Sequence, residues 1–201
     1  MMRTLVHLVR HAEVENPENI WYGRLDGFVL SERGLRQTKV LGDHFSDRKI
    51  EAVYSSPLTR AIQTAEAIAL PHGIQVQVEE QILESEARLQ GWPGDRRLFR
   101  NPLNARHFLN PLRPSWGEPY ASTRSRMTAS IRRMATEHEG GEAVAVSHMT
   151  PVLVCRLSYE KNPRPPWLAK IPCARASVTT LKFEDGEFAG TEYHPVGSEV
   201  V

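Results

Sequence analysis

The chain of 201 residues can bury one sizeable core, and with 40% hydrophobic and 24% charged residues it has an ordinary globular composition. Its 25 Lys and Arg residues nearly cancel 24 Asp and Glu, so no overall field favours nucleic acid or an anionic membrane, and any anion site must be local. Two cysteines, Cys155 and Cys173, make neither a metal-ligand spacing nor a disulfide framework; no membrane-length apolar run or signal-peptide core is present, and the expectation is a soluble cytoplasmic protein.

Residues 5–9 are a short apolar run of Leu and Val around His7, read as a buried strand that stops at Arg10-His11. Residues 16–28 carry Pro and Gly breakers between aromatics and read as a loop returning over that strand end. Ser31 is a plausible N-cap for a helix to about Phe45, with Leu35, Thr38, Leu41, Gly42 and Phe45 on one face. A second strand follows over 51–55. A second helix is then expected with Ser56 at its cap and Pro57 at its first position, burying Ala61, Ala65, Ile68 and Ala69. A short strand over 74–78 completes a βαβα alternation, which favours an α/β sheet.

The middle of the chain, about 85–120, carries Pro93, Pro102, Pro111, Pro114 and Pro119 and reads as short helices inserted over the sheet edge. Its arginines Arg96, Arg97, Arg100, Arg106 and Arg113 suit a solvated helix face; in a lid they would select an anionic substrate. A helix from Tyr120 to about His138, a buried strand over 143–147 ending at His148, and a helix from about Thr150 to Tyr159 come next. The Pro-rich stretch 163–172 is a loop or a contact, and 176–183 with 187–193 form a hairpin about Asp185-Gly186. Trp92, Trp116 and Trp167 are expected to pack the core, and His7, His44, His72, His107, His138 and His194 to be structural or on the surface. The expectation is a single domain.

Two histidines at two strand ends, His11 and His148, stand with Arg10 and with Arg60 near a helix start, and a carboxylate pair, Glu84 and Glu86, follows the third strand. A phosphate monoester offers nearly two negative charges and three acceptor oxygens, which guanidinium forks and helix amides can bind. A neutral imidazole can then act as nucleophile and a protonated carboxyl can supply the leaving alcohol with its proton. Neither a Walker-type loop nor G-x-G-x-x-G, H-E-x-x-H or C-x-x-C occurs.

Arg10-His11, the run Ser56-Pro57-Leu58-x-Arg60-Ala61-x-x-Thr64-Ala65 and the ending Val146-Ser147-His148 resemble the histidine phosphatase superfamily, which includes phosphoglycerate mutases and many phosphomonoesterases. The resemblance implies a three-layer α/β/α sandwich with a mostly parallel sheet, a phosphohistidine at His11, no metal or other cofactor, and phosphoryl binding by Arg10, Arg60 and His148. It points to Glu84 as the acid, with Glu86 in reserve, and to Asn16 and Arg24 as further phosphate ligands. Ala12 stands where the family usually has glycine, a tolerated exchange unless the backbone there needs φ > 0. Ala87 stands at the offset of the mutase tyrosine, and no paired arginines occur at the usual later position for holding a phosphoglycerate carboxylate. Both departures favour a phosphatase acting on a small-molecule phosphate ester. The alternatives are phosphoglycerate-mutase-type transfer and a silent phospho-ligand-binding module. Neither nucleic acid nor membrane is an expected partner, and a homo-oligomer remains open.

Overall fold

The computed structural model describes residues 2–94 and 117–200. The arginine cluster of the expected insertion lies outside these residues, with His107 and Trp116. The strands are β1 (Arg3–Arg10), β2 (Ile50–Ser55), β3 (Val76–Val78), β4 (Glu142–Ser147), β5 (Val178–Glu184) and β6 (Glu187–His194). The helices are α1 (Glu32–Ser46), α2 (Thr59–Ala69), α3 (Tyr120–Glu137), α4 (Met149–Tyr159) and the short α5 (Pro166–Ala169), which sits in the Pro-rich stretch.

The strands form one sheet in the order β3-β2-β4-β1-β5-β6. The β1–β4, β4–β2 and β2–β3 pairings are parallel, and the β5–β6 hairpin is added antiparallel on β1. Because both faces are covered, β1, β2 and β4 read as nearly continuous apolar runs instead of alternating ones. Leu41 and Phe45 of α1 and Ala61, Ala65 and Ile68 of α2 pack on Val9, Val53, Val144 and Val146. On the opposite face Met127, Ile131 and Met134 of α3, with Val152 and Cys155 of α4, pack on Val6, Leu8, Ala143 and Ala145. These are the three layers expected from the sequence.

Local departures have local causes. The buried positions of α1 are Gly34, Gln37, Thr38, Leu41, Gly42 and Phe45, a helical stripe in which Gln37 replaces the expected Leu35. Gln37 accepts a hydrogen bond from the Glu13 amide at 2.9 Å, whereas Leu35 is 55% exposed. Ser31 caps α1 as expected, accepting from the Gly34 amide at 3.0 Å. Helix α2, in contrast, starts at Thr59, with Leu58 rather than Ser56 at its cap and Pro57 outside it. The Ser56 amide still donates to the Val146 carbonyl, so the chain stays on the sheet through Ser56 and the helix begins two residues later than its Ser-Pro dipeptide implies. The hairpin turns on Asp185 and Gly186, both at positive φ, and β5 begins at Val178 because Ala176 turns the chain at φ 55°. His7 is buried between Thr180 Oγ1 at 2.9 Å and Glu142 Oε2 at 3.1 Å, a structural role.

The start of α1 lies directly against the segment that follows β1. A Cβ on Gly34 would come within 2.1 Å of the Glu13 carbonyl oxygen. Gly34→Ala is therefore expected to destabilise the fold by ~1–3 kcal/mol through overpacking. A urea midpoint lowered at unchanged m-value would read this directly, and an unaltered midpoint would contradict the close approach.

Candidate active site

The carboxyl edge of an open parallel sheet is where α/β folds bind ligands, and β1 and β4 deliver their histidines there side by side. Register pairs Arg10 with Ser147, and the His11 amide donates to the Ser147 carbonyl at 3.0 Å. The His11 and His148 rings consequently lie edge to face with centroids 5.1 Å apart, both buried.

The protonation of each ring follows from its partners. His11 Nδ1 lies 2.7 Å from the Ala12 carbonyl oxygen, which can only accept, so Nδ1 carries the proton and Nε2 keeps its lone pair. Burial, reinforced by the Arg60 and Arg10 charges, holds the His11 pKa well below its usual value, so the ring is neutral at pH 7. Burial and the neighbouring His11, Arg60 and Arg10 depress His148 in the same way. His148 Nε2 lies 2.7 Å from Ser56 Oγ. In the tautomer where the Ser56 hydroxyl donates to Nε2, the His148 proton sits on Nδ1; in either tautomer Nδ1 is a buried atom without a partner among the described residues.

Arg10 and Arg60 present the same feature. The Arg10 guanidinium donates to the Cys173 carbonyl at 2.7 Å, and that of Arg60 donates to the Gly23 carbonyl and lies 4.8 Å from the Tyr22 ring centroid. Yet Nε of each is buried and unpartnered. Buried donors are almost always satisfied, so three open ones around two imidazoles describe a place for an anion with several acceptor oxygens. Arg60 is held by its helix: Thr64 Oγ1 donates to the Arg60 carbonyl at 2.7 Å and accepts from the Ala12 amide at 3.2 Å. Ala12 is buried in the core and has no positive φ, so its methyl costs the backbone nothing.

Glu84 faces this cluster across a cavity of about 240 Å³ lined also by Arg10 and His11. Burial raises its pKa, against the Ser85 amide hydrogen bond and the Arg60 and Arg10 charges. Glu86 also lines the cavity but is exposed, so the geometry favours Glu84 as the carboxyl able to stay protonated. Asn16 and Arg24 lie differently from the expectation. Asn16 uses both side-chain polar atoms on the Ile20 backbone, at 3.0 and 3.1 Å. Arg24 donates from Nε to the Glu84 carbonyl at 2.6 Å and pairs with Glu118 at 3.1 Å. Asn16 shapes the loop and Arg24 fastens the acid-bearing segment, so neither directs these donors at the two imidazoles. Ser56 was missed as a site residue because its Ser-Pro context carries the signal of a helix cap. Only the β2–β4 pairing reveals its histidine partner.

Fold and site together define an α/β protein built for phosphoryl transfer. The chain belongs to the histidine phosphatase superfamily (branch 1), whose model matches residues 6–194. An uncharacterized protein of Mycobacterium tuberculosis is 39% identical over 198 residues, covering 94% of this chain and 95% of that protein. Phosphoserine phosphatase 1 of Hydrogenobacter thermophilus is 33% identical over 152 residues, covering 72% and 71% respectively. Among solved structures, Bacillus stearothermophilus YhfR superposes with a TM-score of 0.80 at 25% identity, covering 92% of this chain and 94% of that one. The relatives place this chain among enzymes of phosphatase or mutase type. No helix among the described residues is long and apolar enough to cross a membrane.

Inorganic phosphate should raise the Tm of the wild-type protein, a stabilisation of ~2.7 kcal/mol at 100 times its Kd. Arg60→Gln should abolish most of that shift, and Ser56→Ala should weaken phosphate binding severalfold by freeing the His148 tautomer. A full phosphate-dependent shift in Arg60→Gln would show that the anion binds elsewhere.

Proposed function

We propose that this protein is a phosphomonoesterase that works through a phosphohistidine at His11, without a metal ion. The observation that carries the reading is the set of buried, unpartnered donors on Arg10, Arg60 and His148 beside an imidazole whose Nε2 lone pair is free. In the first step Nε2 attacks phosphorus, the ester P–O bond breaks, and the leaving alkoxide oxygen takes its proton from Glu84. In the second step Glu84, now a carboxylate, takes a proton from water as that water attacks phosphorus. The P–N bond breaks, and His11 is regenerated with release of phosphate. The two guanidiniums and His148 Nδ1–H hold the equatorial oxygens, where charge stabilisation counts most. Hydrolysis is favoured over mutase transfer because Ala87 stands at the mutase tyrosine's offset and no paired arginines occur at the usual later position for holding a phosphoglycerate carboxylate.

Phosphate release from a panel of alkyl phosphates in chelator should proceed with wild type and fall by about 10³-fold or more in His11→Ala. An acid-labile phosphoryl group should be trapped on His11 during turnover. Turnover sustained in His11→Ala would overturn the nucleophile. Requirement for a bisphosphorylated primer would convert the reading to a mutase.

The depressed His11 pKa keeps the nucleophile neutral well into the acid range, and the raised Glu84 pKa keeps the acid protonated further toward neutrality. Activity should therefore decline as pH rises through the Glu84 pKa. Glu84→Gln should remove that alkaline limb and lower kcat for alkyl esters by ~10²–10⁴-fold. An identical alkaline limb in Glu84→Gln would assign the proton to another group.

A further inference from the structure

Beyond the phosphate end, the cavity changes character. Its outer wall is made by Ile20, Trp21, Tyr22, Ala87, Tyr120 and Met149. Trp21 and Met149 are large apolar side chains left 37% and 44% exposed. This wall is rigidly built. The Trp21 amide donates to the Trp92 carbonyl at 2.8 Å, and the Trp21 carbonyl accepts from the Gly91 amide at 2.9 Å. Ile20 bridges to Pro93 and Ala87 to Gly117, where a Cβ would come within 2.0 Å of the Glu86 carbonyl oxygen. Aromatic surface held open by backbone hydrogen bonds is preorganised for an apolar ligand group, because little side-chain entropy remains to be lost on binding.

The charges point the same way. Of the cations among the described residues, only Arg10 lines this cavity, and it stands at the phosphate end. Arg24 and Arg126 are both paired with Glu118, at 3.1 and 2.9 Å, so both guanidiniums are engaged by this one carboxylate of the outer half. The Glu86 carboxylate, exposed on the rim, has no partner among the described residues. A substrate alcohol bearing a carboxylate would meet like charge at Glu86 and, among the described residues lining the outer half, no cation.

We propose that the protein takes phosphate monoesters of uncharged, apolar alcohols, with a ring or alkyl chain seated on Trp21, Tyr120 and Met149, and that Glu86 turns away carboxylate-bearing esters. The proposal rests on the phosphomonoesterase reading and specifies its substrate class. It separates this chain from phosphoserine and phosphoglycerate chemistry while keeping the same reaction at His11.

The test compares kcat/KM for 2-phenylethyl phosphate, ethyl phosphate and 3-phosphoglycerate, all esters of primary alcohols, so leaving-group reactivity is similar. Wild type should prefer 2-phenylethyl phosphate over 3-phosphoglycerate by about tenfold or more. Trp21→Ala should lower the ratio of 2-phenylethyl to ethyl phosphate turnover by about tenfold. Glu86→Gln should raise the ratio of 3-phosphoglycerate to 2-phenylethyl phosphate severalfold. Equal or greater activity on 3-phosphoglycerate in wild type overturns the proposal, and would direct attention to the arginines between residues 95 and 116. Binding of 3-phenylpropylphosphonate against 3-phosphonopropionate, measured by calorimetry, reads the same selectivity without turnover. If no ester is hydrolysed, the phosphomonoesterase reading falls, and the phosphonate pair still decides the selectivity.

Discussion

The parallel pairing of β1 with β4 is the constraint on which the site depends. It aligns Arg10 with Ser147 and ties the His11 amide to the Ser147 carbonyl, so two histidines 137 positions apart in sequence become ring neighbours at 5.1 Å. The β2–β4 pairing then carries Ser56 beside His148, again through a backbone bond, from the Ser56 amide to the Val146 carbonyl. Because both strands are buried on both faces, a register slip would disrupt both cores at once. Fold stability thus enforces the geometry of the site.

That geometry is kept at an energetic cost. Unpartnered buried donors cost about 1–3 kcal/mol each, and here three of them converge beside two neutral imidazoles. Arg60 is 1% exposed, and its guanidinium is retained by the Tyr22 ring and the Gly23 carbonyl, not by a carboxylate. A carboxylate within reach would satisfy the guanidinium and cancel the field that an anion needs. The structure leaves the ion pair incomplete, so a protein of nearly zero net charge keeps a local region of uncompensated positive charge.

The loop after β1 and the segment after β3 complete the cavity by mutual backbone bonding, and Arg24 connects them. Its bond to the Glu84 carbonyl fixes the backbone of the acid, and its pairing with Glu118 reaches the approach to α3. Arg24, a candidate phosphate ligand in the sequence, thus bonds the Glu84 backbone in this structure. Its pairing with Glu118 engages a carboxylate that lines the cavity, whose outer half is otherwise largely aromatic and apolar.

By itself the amino-acid sequence determined the layered α/β class, most element positions, the α1 cap and the hairpin turn. Those follow from local periodicity and turn chemistry that each segment carries alone. It also singled out His11, Arg10, Arg60 and His148 as candidates, four residues that the structure brings into one cluster. Only the tertiary structure distinguishes Glu84, whose carboxyl is pushed toward the neutral form by burial, from the exposed Glu86, since burial is a property of the assembled cavity. It alone moved Ser56 from a helix cap to a histidine partner, and Gln37 into the face expected for Leu35. It likewise turned Asn16 and Arg24 toward backbone carbonyls. In each case a polar side chain has several possible partners near it in sequence, and long-range packing selects among them.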